Sequence, residues 1–360
     1  MKIAIVTFPL INNYGGIIQA YAMVELLKDL GHQPVLINLQ PESKFKAIGK
    51  YLIKKYILIK PKKNKNYPKL VRDKKLHGFI VKNITPLSKE IRNSAELHIH
   101  FEEEPYDACI VGSDQVFASM GFTNFKNDFS LGFMSDDILK LSYAGSFGGN
   151  KFRGDPSMVS VHANNLSRFD AVSVRENSAI NVCDELFGIK ATHVLDPTMM
   201  IDKTSYLDIL GYSQLPKNKA ELFAYVLDSS EDKQRMLNKL AQDRSITLTT
   251  LNDGNKSGKV ISMEEWLKSI LLAEHVITDS FHGCVFCIIF NKPFNCFVNE
   301  DRGADRFYSL LELFGLESRA IINDSSSIDY TDIDWNDVNK RLDVLRGKSK
   351  EFLTRNLIKK

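Results

Sequence analysis

The stretch Val276-Ile277-Thr278-Asp279-Ser280-Phe281-His282-Gly283 decides how the chain is read. Apolar residues lead into Asp, Ser, His and Gly, and a second apolar run from Cys284 to Phe290 carries the chain away. That pattern is a sheet strand that ends in polar, ionisable side chains and feeds a helix. Open parallel sheets bind ligands at that end of their strands. His282 then places its imidazole at the mouth of a crevice, and Gly283 lets the backbone come close to a ligand. The plainer alternative is a helix cap at Asp279 or Ser280 followed by a packed core histidine.

The same punctuation recurs on both sides of this stretch. Residues 2–8 form an apolar strand, followed by the loop Asn12-Asn13-Tyr14-Gly15-Gly16. A helix follows with apolar positions Ile17, Ala20, Tyr21, Val24, Leu27 and Leu30, closed by Gly31, and residues 34–39 are a second strand. Strands at 106–111, 139–144 and 169–174 end in Gly112-Ser113-Asp114-Gln115, Gly145-Ser146-Phe147-Gly148 and Arg175-Glu176. A second set comprises strands at 221–227, 246–250, 276–278 and 293–298, with helices at 231–242, 262–272 and 302–315. Alternating strands and helices specify an α/β fold with parallel sheets and one shared crevice.

At 360 residues the chain exceeds the usual single-domain range. The expected division is 1–188, with a basic segment at 44–75 inserted, then 189–335 carrying the Asp-Ser-Phe-His-Gly motif. A charged helix at 336–360 is expected to pack back on the first domain. Asp196-Pro197-Thr198 reads as a turn between domains.

A hydrophobic content of 44%, with 22 Phe, supplies two cores. The net charge of +3 implies no general affinity for nucleic acid. Within 44–75, however, twelve Lys and one Arg face a single acid, Asp73. This segment reads either as a solvated face or as a patch that meets a phosphorylated substrate or, peripherally, an anionic inner membrane surface. The five cysteines form no disulfide framework, and Cys284 and Cys287 lie in an apolar helical stretch without a second pair, so no metal site and no cofactor are expected. The chain begins directly on a strand and holds no run of about 18 apolar residues, so a cytoplasmic setting is expected.

The loop at Asn13-Tyr14-Gly15-Gly16 can turn backbone N–H groups toward an anion, although it matches neither the dinucleotide fingerprint nor a P-loop. A purely structural turn is the other reading. Asp114 is either a base or hydrogen-bond acceptor for a sugar hydroxyl, or an N-cap. Arg175, after an apolar strand, either clamps a carboxylate or phosphate or pairs with Glu176. Arg302 and Arg306 form a second anion clamp or lie on the surface.

Taken in order, NNYGG with QAYA at 12–22, GSDQV at 112–116, SYAGSFG at 142–148, SVRE at 173–176, LDPT at 195–198, ITDSFHG at 277–283, FNKPF at 290–294 and RGADRF at 302–307 resemble the polysaccharide pyruvyl transferase family. The resemblance covers most of the chain. It implies two Rossmann-like domains facing a central cleft, similar to the GT-B glycosyltransferase architecture. It also implies transfer of pyruvate from phosphoenolpyruvate to a sugar of a surface-glycan precursor as a cyclic ketal. By that resemblance His282, Asp114 and Arg175 are the expected catalytic residues. Asn13, Gly15, Gly16, Ser113, Ser146, Ser280, Gly283, Arg302 and Arg306 form the expected donor site. The acceptor sugar is nucleotide-, lipid- or polymer-linked. Phe117 stands where the family often has tryptophan after GSDQV, and Cys284 where it often has threonine. A GT-B-like glycosyltransferase and a non-catalytic glycan- or phosphate-binding protein are the competing readings.

Overall fold

In the computed structural model the described residues are 1–40, 74–121, 124–125, 127–252, 260–298, 303–322 and 328–358. Nearly all of the basic segment, from 44 to 73, and Arg302 lie outside them.

The first sheet is built from β1 (Lys2–Val6), β2 (Gln33–Leu36), β3 (Ala108–Val111) and β4 (Leu139–Ser142), in the order β2-β1-β3-β4. Every pairing is parallel, with Ile5 opposite Leu36 on one side and Ile110 on the other. Parallel bridges from Leu141 to Ala171 and from Gly145 to Val174 link it to a short pair, β5 (Ser173–Val174) and β6 (Thr192–His193). The second sheet is also parallel and runs β11-β10-β9-β7-β8. Its strands are β7 (Glu221–Val226), β8 (Thr247–Asn252), β9 (His275–Thr278), β10 (Phe294–Phe297) and β11 (Ala320–Ile321). The central strands β3 and β9 are buried along their whole length, as expected of parallel strands covered on both faces.

The helices are α1 (Tyr14–Asp29), α2 (Lys74–Asn83), α3 (Ser94–Glu103), α4 (Val159–Leu166), α5 (Ser178–Phe187), α6 (Pro197–Met200), α7 (Lys203–Leu210), α8 (Glu231–Asp243), α9 (Met263–Leu272), α10 (Phe281–Ile289), α11 (Asp305–Phe314) and α12 (Trp335–Asn356). α1 is apolar on nearly all sides because it is wedged between the sheets. Its Tyr14 ring stacks on Trp266 of α9 at 5.3 Å, and the Tyr14 hydroxyl donates to the carbonyl of Ile261 at 2.9 Å. Tyr21 meets Tyr206 of α7 edge-on. α10 is buried at every position. α12 packs Phe352 near Tyr143, just beyond β4, and its Arg346 donates to the carbonyls of Met199 and Ile201.

In each sheet the chain moves outward on one side of its first strand and then returns to the other. The switch points fall between β1 and β3 and between β7 and β9. Crevices open at such points, beyond the carboxyl ends of the strands. The loop before α1 follows β1, Gly112 to Gln115 follow β3, and Asp279 to His282 follow β9. Both topological crevices therefore receive the polar segments noted above.

Candidate functional site

The site centres on Asp196, which is 2% exposed. It caps α6: its Oδ1 accepts the backbone N–H of Thr198 at 3.0 Å and the Thr198 hydroxyl at 2.7 Å. Its Oδ2 accepts Nη1 of Arg175 at 2.9 Å and lies 3.2 Å from the Ser113 hydroxyl. Nε2 of His282 lies 3.6 Å from the same oxygen. One carboxylate thus gathers side chains that follow β3, β5 and β9. Burial pushes the Asp196 carboxyl up, but the His282 and Arg175 charges and the Thr198 hydroxyl outweigh it, holding the group well below the usual carboxylate range.

Arg175 lies at the end of β5, with its guanidinium 3.6 Å from Asp114 and 4.4 Å from the centre of the Phe281 ring. Burial pulls its pKa down, but Asp196, Asp114 and Glu176 together hold it above the ordinary value. Its Nε and Nη2 nevertheless have no hydrogen-bond partner within the protein. The alternative pairing with Glu176 is not the one made. Glu176 is fully buried and braces the next loop, accepting the Ser146 hydroxyl at 2.9 Å and the Phe147 N–H at 2.8 Å. Arg306, in the first turn of α11, approaches the same Phe281 ring at 5.9 Å. Its Nε is buried without a partner, and burial followed by the Arg175 charge pushes it down to about 10. Nε2 of His282 likewise makes no hydrogen bond within the protein, with Asp196 Oδ2 as its ionic partner at 3.6 Å. Buried donors are almost always satisfied, so these nitrogens make the cluster a candidate anion site.

Asp114 borders the cluster with φ of 69°, a left-handed conformation that Asp tolerates better than most residues. Asn13 caps α1 by accepting the Gly16 N–H at 3.2 Å. Gly15 presses its backbone against His282: a Cβ there would sit 2.1 Å from Nδ1 of the imidazole. Gly15→Ala should therefore displace His282 and cut turnover by at least tenfold with modest loss of stability. Comparing kcat with the denaturation midpoint checks this. Gly16 faces Asn13 and, at 3.6 Å from a notional Cβ, Asp114.

The structure thus brings together His282, Asp114, Arg175, Arg306, Ser113 and the Asn13–Gly16 loop. Ser146 is spent on Glu176, and Ser280 caps α10 by accepting the Gly283 N–H at 3.3 Å. Gly283 serves packing, since a Cβ would lie 2.5 Å from the Thr278 hydroxyl. Asp279 accepts the N–H groups of Leu227 and Asp228 and so ties β9 to the end of β7. Sequence reasoning passed over Asp196 and Phe281 as site residues. Asp before Pro-Thr signals a helix cap, and capping conceals the carboxylate's second oxygen. All five cysteines are buried and unpaired. Among the described residues no group of three His, Cys, Asp or Glu is placed to hold a metal, and no helix is long and apolar enough to cross a membrane.

Two parallel sheets flanked by helices, with the polar cluster where their strand ends meet, define a mixed α/β protein of GT-B-like architecture. The model of the polysaccharide pyruvyl transferase family matches residues 13–301, and the chain belongs to that family. Membership supports a transferase activity. Among solved structures, the UDP-GlcNAc 2-epimerase of Methanocaldococcus jannaschii, in complex with UDP-GlcNAc and UDP, shares the fold at 15% identity and a TM-score of 0.51, covering 99% of both chains. The UDP-GlcNAc 2-epimerase of Neisseria meningitidis bound to UDP-GlcNAc aligns over 100% of both chains at 11% identity and a TM-score of 0.43. No curated protein matches the chain significantly in sequence.

Proposed function

We propose that this protein transfers the pyruvyl group of phosphoenolpyruvate to two hydroxyls of a sugar, forming a cyclic ketal and releasing phosphate. One observation carries the reading: Arg175, Arg306 and His282 converge with buried nitrogens that have no hydrogen-bond partner in the protein, Arg175 and His282 inside the matched family segment and Arg306 just beyond it. A small dianionic or trianionic donor matches that set. Arg175, with the planar fork suited to carboxylate or phosphate, and Arg306 hold the two anionic ends of phosphoenolpyruvate.

The chemistry balances as follows. A proton goes to the methylene carbon, which becomes the methyl group. One sugar hydroxyl adds to C2, and the bond from C2 to the phosphate oxygen breaks. The second hydroxyl then closes the ring. The two hydroxyls release two protons, one replacing that delivered to the methylene carbon and one leaving on phosphate. His282 supplies the proton, either to the methylene carbon or to the departing phosphate. Asp114 orients or deprotonates the acceptor hydroxyl, and Arg175 and Arg306 absorb developing charge. Asp196 holds Arg175 and His282 in place without touching substrate.

The test is phosphate release from phosphoenolpyruvate across nucleotide-, lipid- and polymer-linked sugars, with mass spectrometry of the products. The expected result is a sugar heavier by one pyruvate less one water. Phosphoenolpyruvate that neither binds nor turns over with any acceptor would end this reading.

A further inference from the structure

We propose that the hollow between residues 148–153 and the start of α11 is the acceptor subsite, and that it grips the diphosphate through which the sugar is carried. This deepens the ketal-transfer reading and rests on it. The hollow has a volume of about 410 Å³ and is lined by Gly149, Lys151 and Arg153 on one side and Gly303, Asp305 and Tyr308 on the other.

Four observations point to this ligand class. First, the two walls meet through bare backbone. Gly303 has φ of 85°, and a Cβ on it would lie 1.7 Å from the Gly148 carbonyl oxygen, so any side chain would force the walls apart. Second, Lys151 and Arg153 outnumber Asp305, leaving a local excess of positive charge. Arg153 is already fixed in place, because Nη2 donates to Gln115 Oε1 at 2.8 Å and to the Phe147 carbonyl at 3.0 Å. A fixed guanidinium loses less freedom when it binds an anion. Third, Asp305 offers an acceptor for sugar hydroxyls, and Tyr308 lines the same wall at 37% exposed. Fourth, both walls continue directly into the donor cluster. Gln115 follows Asp114 in the chain, and the Phe147 N–H is held by Glu176. On the other wall, Arg306 follows Asp305 and reaches the Phe281 ring that Arg175 also covers.

The charge of Arg153 is also felt by Arg306, which lies beside Arg175. Two anions, donor and acceptor, would relieve this crowding of cations. A neutral free sugar would use neither the Lys151 nor the Arg153 charge, whereas a diphosphate engages both. The acceptor should therefore be a sugar on a diphosphate, and nucleotide and polyprenyl carriers share that chemistry.

The experiment measures binding of inorganic pyrophosphate and, separately, of phosphoenolpyruvate by calorimetry. It compares the full-length wild type with Lys151→Gln, Arg153→Gln and the double variant. The proposal expects pyrophosphate affinity to fall about tenfold or more in the double variant, while phosphoenolpyruvate affinity changes less than about twofold. Lys151→Gln leaves the Arg153 anchors intact, so a loss in that variant alone is not a folding effect. A uridine-diphosphate sugar and a short polyprenyl-diphosphate sugar are then competed against pyrophosphate, and the one that displaces it identifies the carrier. Unchanged pyrophosphate binding in the double variant, or an equal loss for phosphoenolpyruvate, would overturn the subsite. Absence of phosphoenolpyruvate binding to the wild type would instead remove the ketal-transfer reading, with the pyrophosphate arm still deciding whether the hollow binds diphosphate.

Discussion

His282→Ala and His282→Gln should each lower kcat for ketal formation by roughly 10²–10⁴ while phosphoenolpyruvate still binds. The imidazole stands at the start of α10 with Nε2 buried, without a hydrogen bond and 3.6 Å from Asp196. Gln fills much of the same space and can donate a hydrogen bond, but it cannot deliver a proton and recover it at neutral pH. Equal losses in the two variants therefore identify proton transfer. Recovery of most of the activity by Gln would reduce His282 to a hydrogen-bonding or packing role, consistent with its contact against Gly15. Single-turnover phosphate release at saturating donor separates this chemical step from binding.

Asp196→Asn should be the most destabilising conservative change in the cluster. Its Oδ1 is committed to Thr198, so the new amide nitrogen falls where Oδ2 met Arg175, Ser113 and His282. Donor then faces donor, and Arg175 keeps Asp114 at 3.6 Å as its remaining ion-pair partner, with Glu176 acting only at longer range. Removing one partner of a buried ion pair typically costs about 3–5 kcal/mol, because the other charge is left in low dielectric. Urea unfolding should show the midpoint falling with the slope preserved.

The pH dependence has a definite sign. The folded-state pKa of Asp196 is depressed, so its contribution to stability is fully present above the unfolded value, about 3.9, and is lost as pH falls through the lower folded value. The stability gap between wild type and Asp196→Asn should thus be constant near neutrality and narrow only below about pH 4. A gap that closed between pH 6 and 8 would assign the effect to His282 instead.

Much of the architecture was legible before any coordinates. The apolar runs ending in Gly112–Gln115, Arg175–Glu176 and Asp279–Gly283 marked strands whose polar ends belong to crevices, and the parallel sheets place them there. Strand limits were overdrawn where apolar residues continue past the ladder. The run at 169–174, for example, pairs as a regular strand only at Ser173–Val174. Short helices such as α5 and α7 were not read because ten or fewer residues of mixed polarity carry little periodic signal.

The sequence alone determined which segments could bear chemistry, because strand ends and helix starts are local events written in residue type and spacing. It also determined the family, through motifs kept in order along the chain. The tertiary structure alone decided the partners. Arg175 had a neighbouring glutamate and pairs instead with Asp196, 21 residues away, while Glu176 turns aside to hold a loop. Asp196, read as a turn, became the point where segments from both sheets meet. The physical reason is that a buried charge must be answered by whichever groups the packing brings within about 4 Å, and that set depends on how the two sheets dock around α1.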